Sequence, residues 1–374
     1  VCPEGAILSS INHKAGLVAP TKCVGHGECE RSCPTNAIKL VFGTKTRGMD
    51  IPRISSDYET NVPGIYIAGE LGGMGLIRNA VKQGHLAAKS AISHLDTKTK
   101  ADADLLIVGA GPSGLAASLT AIAEKKSYVT IEQNAFGGTV YNFPRQKVVM
   151  THPAQLPVVG TMKFSKNKVG KEELLEYWDG VRKKAGVQIR EHVRFEGLES
   201  RDGVFHVKTS TGVVTAKKVI LCMGVRGTPR RLGLKNEDSG KVTYNLIDPA
   251  QYQNMHVAVV GGGNAGVESA QMLAKPEYKN KVTLLIRGDG FDRCNEANKQ
   301  IILEMEKNGQ VQIWYNSSVK EIEKEHITVT KAGSDVKHPN NYLFVFAGAE
   351  IPYKFLMSLG IQIEKKFGEA LAKK

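Results

Sequence analysis

Gly109-Ala110-Gly111-Pro112-Ser113-Gly114 is the stretch that decides the fold of this chain. The apolar run Asp104–Val108 precedes it, and a helical pattern follows from Leu115 to Lys125. In such a unit the first glycine permits a tight turn, the second lets the backbone approach a pyrophosphate, and the third lets the helix pack closely on the strand. Glu132, 23 positions after Gly109, ends the next apolar run, where a carboxylate accepts hydrogen bonds from a ribose. The stretch predicts a strand–turn–helix unit that binds a dinucleotide.

A second unit of the same kind begins about 150 residues later, at Gly261-Gly262-Gly263-Asn264-Ala265-Gly266. It follows the apolar run His256–Val260, and the next strand-like run ends in Arg287 instead of an acidic residue. A cation there suits a 2′-phosphate, so NADP is favoured over NAD, although a surface arginine without a ligand gives the same pattern. Two dinucleotides on one chain are best explained as a flavin and a nicotinamide, because a hydride can pass between them.

The cysteines are concentrated at the start of the chain. Four of the six, Cys2, Cys23, Cys29 and Cys33, fall in the first 33 residues. Clustered cysteines in a chain of 374 residues indicate metal binding in a reducing compartment instead of a disulfide framework. We therefore expect a cytoplasmic location, and we see no signal peptide.

Cys23-x2-His26-x2-Cys29-x3-Cys33-Pro34 resembles one half of a two-cluster bacterial ferredoxin, with His26 in the place of the second cysteine. Cys2-Pro3 and Cys33-Pro34 also share the same x2-Ala-Ile tail. The resemblance implies a 4Fe-4S cluster held by Cys2, Cys23, His26 and Cys29, with Cys33 reaching a cluster whose other ligands precede Val1. A three-iron cluster or an unligated His26 also fits, and a zinc site fits less well. We expect the chain to be a piece of a longer protein.

Several stretches together resemble the thioredoxin-reductase-like flavoproteins. They are the two glycine loops, Gly137-Gly138-Thr139, Cys222-Met223-Gly224 and Thr60–Glu70. The resemblance implies that Gly69, Glu70, Gly137, Gly138 and Thr139 contact FAD together with the first loop. The segment from Asp104 to Gly360 looks most like the bacillithiol-disulfide-reductase-like branch.

Two departures separate this chain from the disulfide reductases of that family. It has no Cys-x-x-Cys pair, and Ser113 stands where the bacillithiol-type branch has a cysteine. Cys222 ends a buried strand, where we expect an inert thiol. Disulfide reduction is therefore poorly supported by the sequence.

The order of the motifs is unusual, because Thr60–Glu70 precedes the first glycine loop. In the family this stretch ends the flavin domain, so a circular permutation is the simplest explanation. The alternative is that 41–98 completes another flavin domain upstream. We expect an α/β chain with two Rossmann-like domains and an N-terminal ferredoxin-like α+β segment. The expected divisions are 1–40 for the iron–sulfur segment, 41–98, 103–227 and 344–374 for the FAD domain, and 228–343 for the NAD(P) domain.

The net charge is +13, spread along the chain without a block of like charge. Solvated lysine faces explain it best, and steering of an acidic redox partner or a cofactor phosphate is the alternative. No nucleic-acid motif accompanies the charge. The uncharged stretch Leu105–Ala123 is interrupted by glycines, which favours strand–turn–helix over a membrane span.

These expectations define a function. We expect an electron-transfer flavoenzyme that moves electrons between NAD(P)H, FAD and an iron–sulfur cluster, with a ferredoxin or a membrane redox complex as partner. Since no side chain need act as an acid or a base, the sequence names no catalytic residue. The alternatives are a disulfide or small-molecule reductase, with Cys294 as its reactive thiol, and a non-catalytic redox subunit or sensor. Family resemblance makes a homodimer plausible.

Overall fold

The computed structural model describes residues 7–9, 15–17, 28–39, 41–42, 48–73, 75–96, 98–165, 168–225, 229–291 and 293–370. Its helices are α1 Glu28–Arg31, α2 Ile77–Ser93, α3 Pro112–Ala123, α4 Lys171–Ala185, α5 Asn264–Leu273, α6 Glu296–Lys307 and α7 Tyr353–Ser358. The strands in the first half are β1 Ile7–Ser9, β2 Ala15–Leu17, β3 Val41–Phe42, β4 Met49–Pro52, β5 Ile65–Ile67, β6 Ala103–Val108, β7 Tyr128–Ile131, β8 Val148–Met150, β9 Ala154–Leu156, β10 Gly160–Met162 and β11 Lys168–Gly170. Those in the second half are β12 Phe195–Arg201, β13 Val204–Thr209, β14 Gly212–Leu221, β15 Val242–Thr243, β16 His256–Val260, β17 Lys281–Leu285, β18 Val311–Trp314, β19 Ser317–Ile322, β20 His326–Lys331, β21 Ser334–Pro339, β22 Tyr342–Val345, β23 Ile363–Lys366 and β24 Glu369–Ala370.

The first sheet carries the first glycine loop at the carboxyl end of β6. Its strand order is β12-β13-β14-β6-β7, and β5 also pairs with β14. β6 is parallel to both β7 and β14, whereas β12, β13 and β14 form an antiparallel meander. β13 occupies one edge of β14 only up to Ala216, and β5 pairs in parallel with Val219–Leu221 beyond it. The strand from the Thr60–Glu70 stretch thus lies in the same sheet as the first glycine loop.

The second sheet is parallel throughout, in the order β15-β22-β16-β17-β18. α5 and α6 pack on it through the buried residues Val267, Leu273 and Ile302. The antiparallel strands β19, β20 and β21 bury Ile327 and Val329 against Trp314 and Leu285. Apolar burial on both faces is typical of a parallel sheet, so this unit has the α/β architecture that the sequence predicts.

Segments from the two ends of the described chain meet beside the first sheet. β4 pairs antiparallel with β23, and the Asn61 side chain donates to the Gly360 carbonyl. Leu356 of α7 and Ile361 are buried in the same apolar cluster as Ile65.

α2 packs on α3 at close range because α2 carries a glycine at the crossing. A Cβ atom on Gly84 would lie 2.0 Å from the carbonyl oxygen of Ser113. None of the helices in the described part of the chain combines the length and apolar character needed to cross a membrane.

Most elements predicted from the sequence are confirmed within one or two residues. The helical sequence pattern of residues 76–94 forms α2, and the apolar runs on either side of residues 210–212 form the hairpin of β13 and β14. The strands around both glycine loops are also confirmed. The helix expected from Leu115 starts three residues earlier, because Pro112 occupies the first helical position of α3.

Candidate functional site: two dinucleotide-binding loops

The first glycine loop leaves room for a ligand at one position and none at another. A Cβ atom on Gly111 would meet nothing within 4 Å, whereas one on Gly114 would lie 1.8 Å from the Gly109 carbonyl oxygen. Gly109 has φ +104°, which only glycine adopts without strain. Gly111 is the N-cap of α3 and provides no side-chain cap, so the first N–H groups of the helix remain available. Such an end suits a phosphate group.

Glu132 lies directly beside this loop and orders it. The side chain is buried, and one carboxylate oxygen accepts the Ala110 N–H at 2.8 Å. The other oxygen accepts the Asn134 N–H at 2.9 Å. Because each carboxylate oxygen has two acceptor sites, Glu132 can still accept from a ribose hydroxyl.

The Thr60–Glu70 stretch ends against the same loop. A Cβ atom on Gly69 would lie 2.8 Å from Ser113 Oγ, and the Gly69 N–H donates to Gln83 Oε1 at 2.8 Å. Glu70 begins a short 3₁₀ helix, Glu70–Gly72. The sequence analysis missed Gln83, since nothing in a helical pattern marks one polar residue of α2 as a backbone acceptor.

The Gly137-Gly138-Thr139 stretch also reaches the first loop. The Gly137 N–H donates to the Ala110 carbonyl at 3.1 Å, and the Cβ position of Gly138 is 3.2 Å from Gly111 Cα. A 3₁₀ helix, Gly138–Val140, contains Thr139. The described structure therefore brings Gly69, Gly137 and Gly138 to the first loop, and Glu70 and Thr139 directly follow them in the chain.

The second loop repeats the geometry of the first. A Cβ atom on Gly266 would lie 2.2 Å from the Gly261 carbonyl oxygen, whereas the nearest atom to one on Gly263 is the Arg293 carbonyl oxygen at 3.9 Å. Asn264 and Ala265 begin α5, and Asn264 Oδ1 accepts the Asn295 N–H at 2.8 Å.

Two arginines flank the second loop. Arg287 follows β17 and is exposed, as a group that meets a diffusing phosphate must be. Arg293 is also exposed, and its own backbone carbonyl is the group near Gly263.

The surroundings of the two thiols in the body of the chain, Cys222 and Cys294, disfavour their ionisation. Burial raises the pKa of Cys222 to about 12, although Ser113 hydrogen-bonds to its sulfur. Burial, followed by the charges of Glu268 and Glu296, raises the pKa of Cys294 to about 11. A thiol must ionise to attack a disulfide, so these surroundings oppose such a role for either cysteine. The expectation that Cys222 is buried is confirmed.

Only part of the cysteine-rich segment lies within the described residues. Cys2, Cys23 and His26 fall outside them, whereas Cys29 lies in α1 and Cys33 follows it. The Cys33 sulfur accepts the Ala37 N–H at 3.3 Å and lies 3.5 Å from Thr35 Oγ1. Among the described residues, no three His, Cys, Asp or Glu side chains are grouped closely enough to hold a metal ion.

Comparison with known proteins agrees with this geometry. The model of the pyridine nucleotide-disulphide oxidoreductase family matches residues 106–373. The chain belongs to this family. It is 31% identical to a ferredoxin–NADP reductase of Ignicoccus hospitalis, over 70% of this chain and 83% of that protein. It is 24% identical to the bacilliredoxin reductase Bdr of Bacillus subtilis, over 70% of this chain and 82% of that protein.

Solved structures show the same fold. The bacillithiol disulfide reductase Bdr (YpdA) of Bacillus cereus matches 72% of this chain and 85% of its own, with a TM-score of 0.63 and 23% identity. Family membership makes this chain an FAD-dependent NAD(P)H oxidoreductase of the thioredoxin-reductase type.

Proposed function

We propose that this protein is an electron-transfer flavoenzyme that moves electrons between NAD(P)H, FAD and a 4Fe-4S cluster, as a ferredoxin–NADP reductase with its own cluster would. One observation carries the proposal. Each glycine loop has an open central position at a helix N-terminus, while the thiols of Cys222 and Cys294 are held in their protonated form. A dinucleotide fits at both loops, and a thiol-based reaction is disfavoured.

The first loop fits FAD. Gly109, Gly111, Pro112, Ser113 and Gly114 would face the pyrophosphate, and Glu132 the ribose. Gly69, Glu70, Gly137, Gly138 and Thr139 would surround the remainder of the cofactor. Bound FAD supplies the ability to exchange a hydride with a nicotinamide and single electrons with a cluster.

The second loop fits NADP, with NAD as the alternative. Gly261, Gly263, Asn264, Ala265 and Gly266 would bind the pyrophosphate at the N-terminus of α5. Arg287 is exposed, so its guanidinium can reach a 2′-phosphate.

At Cys33, the surroundings of the thiol fit a ligand of an iron–sulfur cluster. Hydrogen bonds from the Thr35 hydroxyl and the Ile38 backbone lower the pKa of Cys33 to about 7, against a smaller opposing effect of burial. A cluster binds the thiolate, and N–H groups directed at its sulfur tune the reduction potential. We assign Cys2, Cys23, His26 and Cys29 to one cluster and Cys33 to a second, with a three-iron cluster as the alternative.

We further propose that 41–98, 103–227 and 344–374 form a permuted FAD domain, with 228–343 as the NAD(P) domain and 1–40 as the cluster segment. The pairing of β5 with β14 and of β4 with β23 supports this division.

The electron partner would be an acidic ferredoxin or a membrane redox complex. A cytoplasmic location and a homodimer remain predictions.

An anaerobic titration with NADPH, and separately with NADH, tests the function by optical absorption and electron paramagnetic resonance. The proposal expects flavin bleaching followed by the signal of a reduced cluster. Replacing Cys29 with serine should abolish or alter the cluster signal, whereas the matched variant Cys294→Ser should leave it intact.

Flavin bleaching without a cluster signal in reconstituted protein would refute the electron path. It would favour a small-molecule or disulfide reductase. Absence of flavin bleaching with either nucleotide would favour a redox subunit without turnover.

A further inference from the structure

Residues 141–147, which we call the bridging segment, connect the surroundings of the two glycine loops. The segment begins directly after the 3₁₀ helix Gly138–Val140, whose first glycine packs against Gly111. It ends at Lys147, directly before β8. Its hydrogen bonds and ion pairs with both halves of the molecule are made by backbone groups and by charged side chains.

On the flavin side, the bridging segment is fixed to the start of α4. The Lys171 ammonium, on a residue only 7% exposed, donates to the Phe143 carbonyl. The Lys171 N–H donates to the Lys147 carbonyl at 2.9 Å, and the Gln146 N–H donates to Glu172 Oε1 at 3.2 Å. These bonds, with one buried ammonium among them, hold the segment rigidly on the first unit.

On the nicotinamide side, the segment makes an ion pair at each of two points. The Arg145 guanidinium donates to Asp248 at 2.8 Å, and the Arg145 N–H donates to the Ile247 carbonyl at 2.7 Å. The Lys147 ammonium donates to Glu268 on α5 at 2.7 Å. The Lys147 and Glu268 side chains are only 19% and 25% exposed, so solvent screens this pair less than a surface pair.

Glu268 continues the connection to the second glycine loop. Its other oxygen accepts from Asn298 Nδ2 at 2.8 Å, and the same amide lies 3.3 Å from Asn264 Oδ1. Asn264 is the first residue of α5, immediately after Gly263. Direct contacts therefore run from Lys147 to the nucleotide loop itself.

We propose that the bridging segment sets the relative orientation of the two nucleotide sites, and that Lys147 and Glu268 are its positioning residues. The inference rests on the proposed exchange of electrons between NAD(P)H and FAD. Hydride transfer requires the reacting atoms to approach to roughly 3–3.5 Å, and a displacement of about 1 Å can slow a reaction 100-fold. When the Lys147–Glu268 ion pair is removed, the two units adopt the arrangement that aligns the two nucleotide sites less often. The rate of flavin reduction then falls in proportion.

The test compares Lys147→Met and Glu268→Gln with Lys217→Met. Lys217 pairs with Asp104 at 2.9 Å, with side-chain exposures of 16% and 20%, but both residues lie within the first sheet. Lys217→Met therefore removes an ion pair of similar length and burial that does not bridge the two units.

Three readouts are measured: the rate of flavin reduction at saturating NADPH, the dissociation constant of NADP⁺, and amide hydrogen exchange of peptides covering 141–147 and 245–250. We expect Lys147→Met and Glu268→Gln each to slow flavin reduction about five- to tenfold. Hydrogen exchange in both peptides should rise, because one peptide contains the Arg145 N–H and the other contains Ile247, whose carbonyl accepts it. NADP⁺ affinity should stay within about twofold, and Lys217→Met should change none of the three.

The double variant Lys147→Glu with Glu268→Lys, in which the two charges are exchanged, should recover most of the lost rate of flavin reduction. This recovery distinguishes the loss of an ion pair from a general loss of folding. An unchanged or faster flavin reduction in both single variants would overturn the inference. So would a loss confined to NADP⁺ affinity, because Lys147 would then be a nucleotide ligand. Wild-type flavin that NADPH does not reduce would instead refute the proposed function, whatever the variants do.

Discussion

Gly111→Ala and Gly114→Ala place the same methyl group three residues apart in one loop, and the structure predicts different consequences. At Gly111 the methyl enters the open space before the N-terminus of α3. The Gly111 backbone, with φ −75°, already suits alanine, so the flavin-free protein should change in stability by no more than about 1 kcal/mol. In the space where a pyrophosphate would approach, however, the methyl displaces the ligand. Loss of one or two charge-assisted hydrogen bonds, each worth about 1.5–3 kcal/mol, predicts FAD affinity at least about tenfold lower.

At Gly114 the methyl has no free space. Its Cβ atom would lie 1.8 Å from the Gly109 carbonyl oxygen, so α3 must shift by roughly 1.5 Å to restore ordinary contact. That shift also disturbs the packing of α2 on α3, where Gly84 meets the Ser113 carbonyl. We expect the flavin-free protein to lose about 3 kcal/mol of unfolding free energy or more.

Urea unfolding of the flavin-free proteins and FAD titration followed by flavin fluorescence measure the two effects separately. Gly160→Ala is not a suitable control, because its φ of +92° adds strain. Gly180→Ala is suitable, since Gly180 lies inside α4 with open space at its Cβ position. The reasoning is refuted if Gly111→Ala destabilises the flavin-free protein as much as Gly114→Ala does, or if it leaves FAD affinity unchanged.

Three further predictions concern single side chains. Arg287→Ala should raise KM for NADPH about tenfold in steady-state kinetics and leave KM for NADH within about twofold, because only NADPH carries the 2′-phosphate. Cys222→Ala combined with Cys294→Ser should leave NADPH-dependent reduction of an artificial acceptor within about twofold, since both thiols have raised pKa values. Glu237→Gln should lower the urea stability by about 2 kcal/mol at pH 7. Burial opposes ionisation of Glu237, but hydrogen bonds from Tyr244 and three backbone N–H groups outweigh it and lower its pKa. The wild type is therefore more stable to unfolding than the glutamine variant at pH values above the pKa of Glu237 in the unfolded protein. This advantage disappears as the pH falls through the pKa of Glu237 in the folded protein. An advantage that grows toward acidic pH would contradict this.

The sequence predicted both glycine loops because each is a local pattern, in which strand, turn and helix follow one another within about 25 residues. The acidic residue Glu132 was predicted by the same spacing. Its second function was not, because acceptance of the Ala110 N–H depends on how β7 lies beside β6.

Contacts between distant segments could not be predicted from a single sequence. Lys147 and Glu268 are 121 positions apart, and each looks like an ordinary exposed charge of a basic chain. Their pairing depends on the way the two sheets are arranged, which no local periodicity records. The same limit applies to Gln83, whose acceptor role requires Gly69 to pass over α2.

The two loops share a backbone geometry but differ in the residue that follows the adjacent strand, and that difference predicts different ligands. Glu132 is 6% exposed and is fixed by two backbone N–H groups, so a nucleotide bound there meets a rigid, buried acceptor. Arg287 is exposed, so a nucleotide bound there would meet it at the surface. Buried, pre-formed contacts slow dissociation, whereas surface charges mainly assist encounter. A tightly held flavin at the first loop and a nicotinamide that exchanges at the second are what this difference in burial predicts, and the ratio of their dissociation rates measures it.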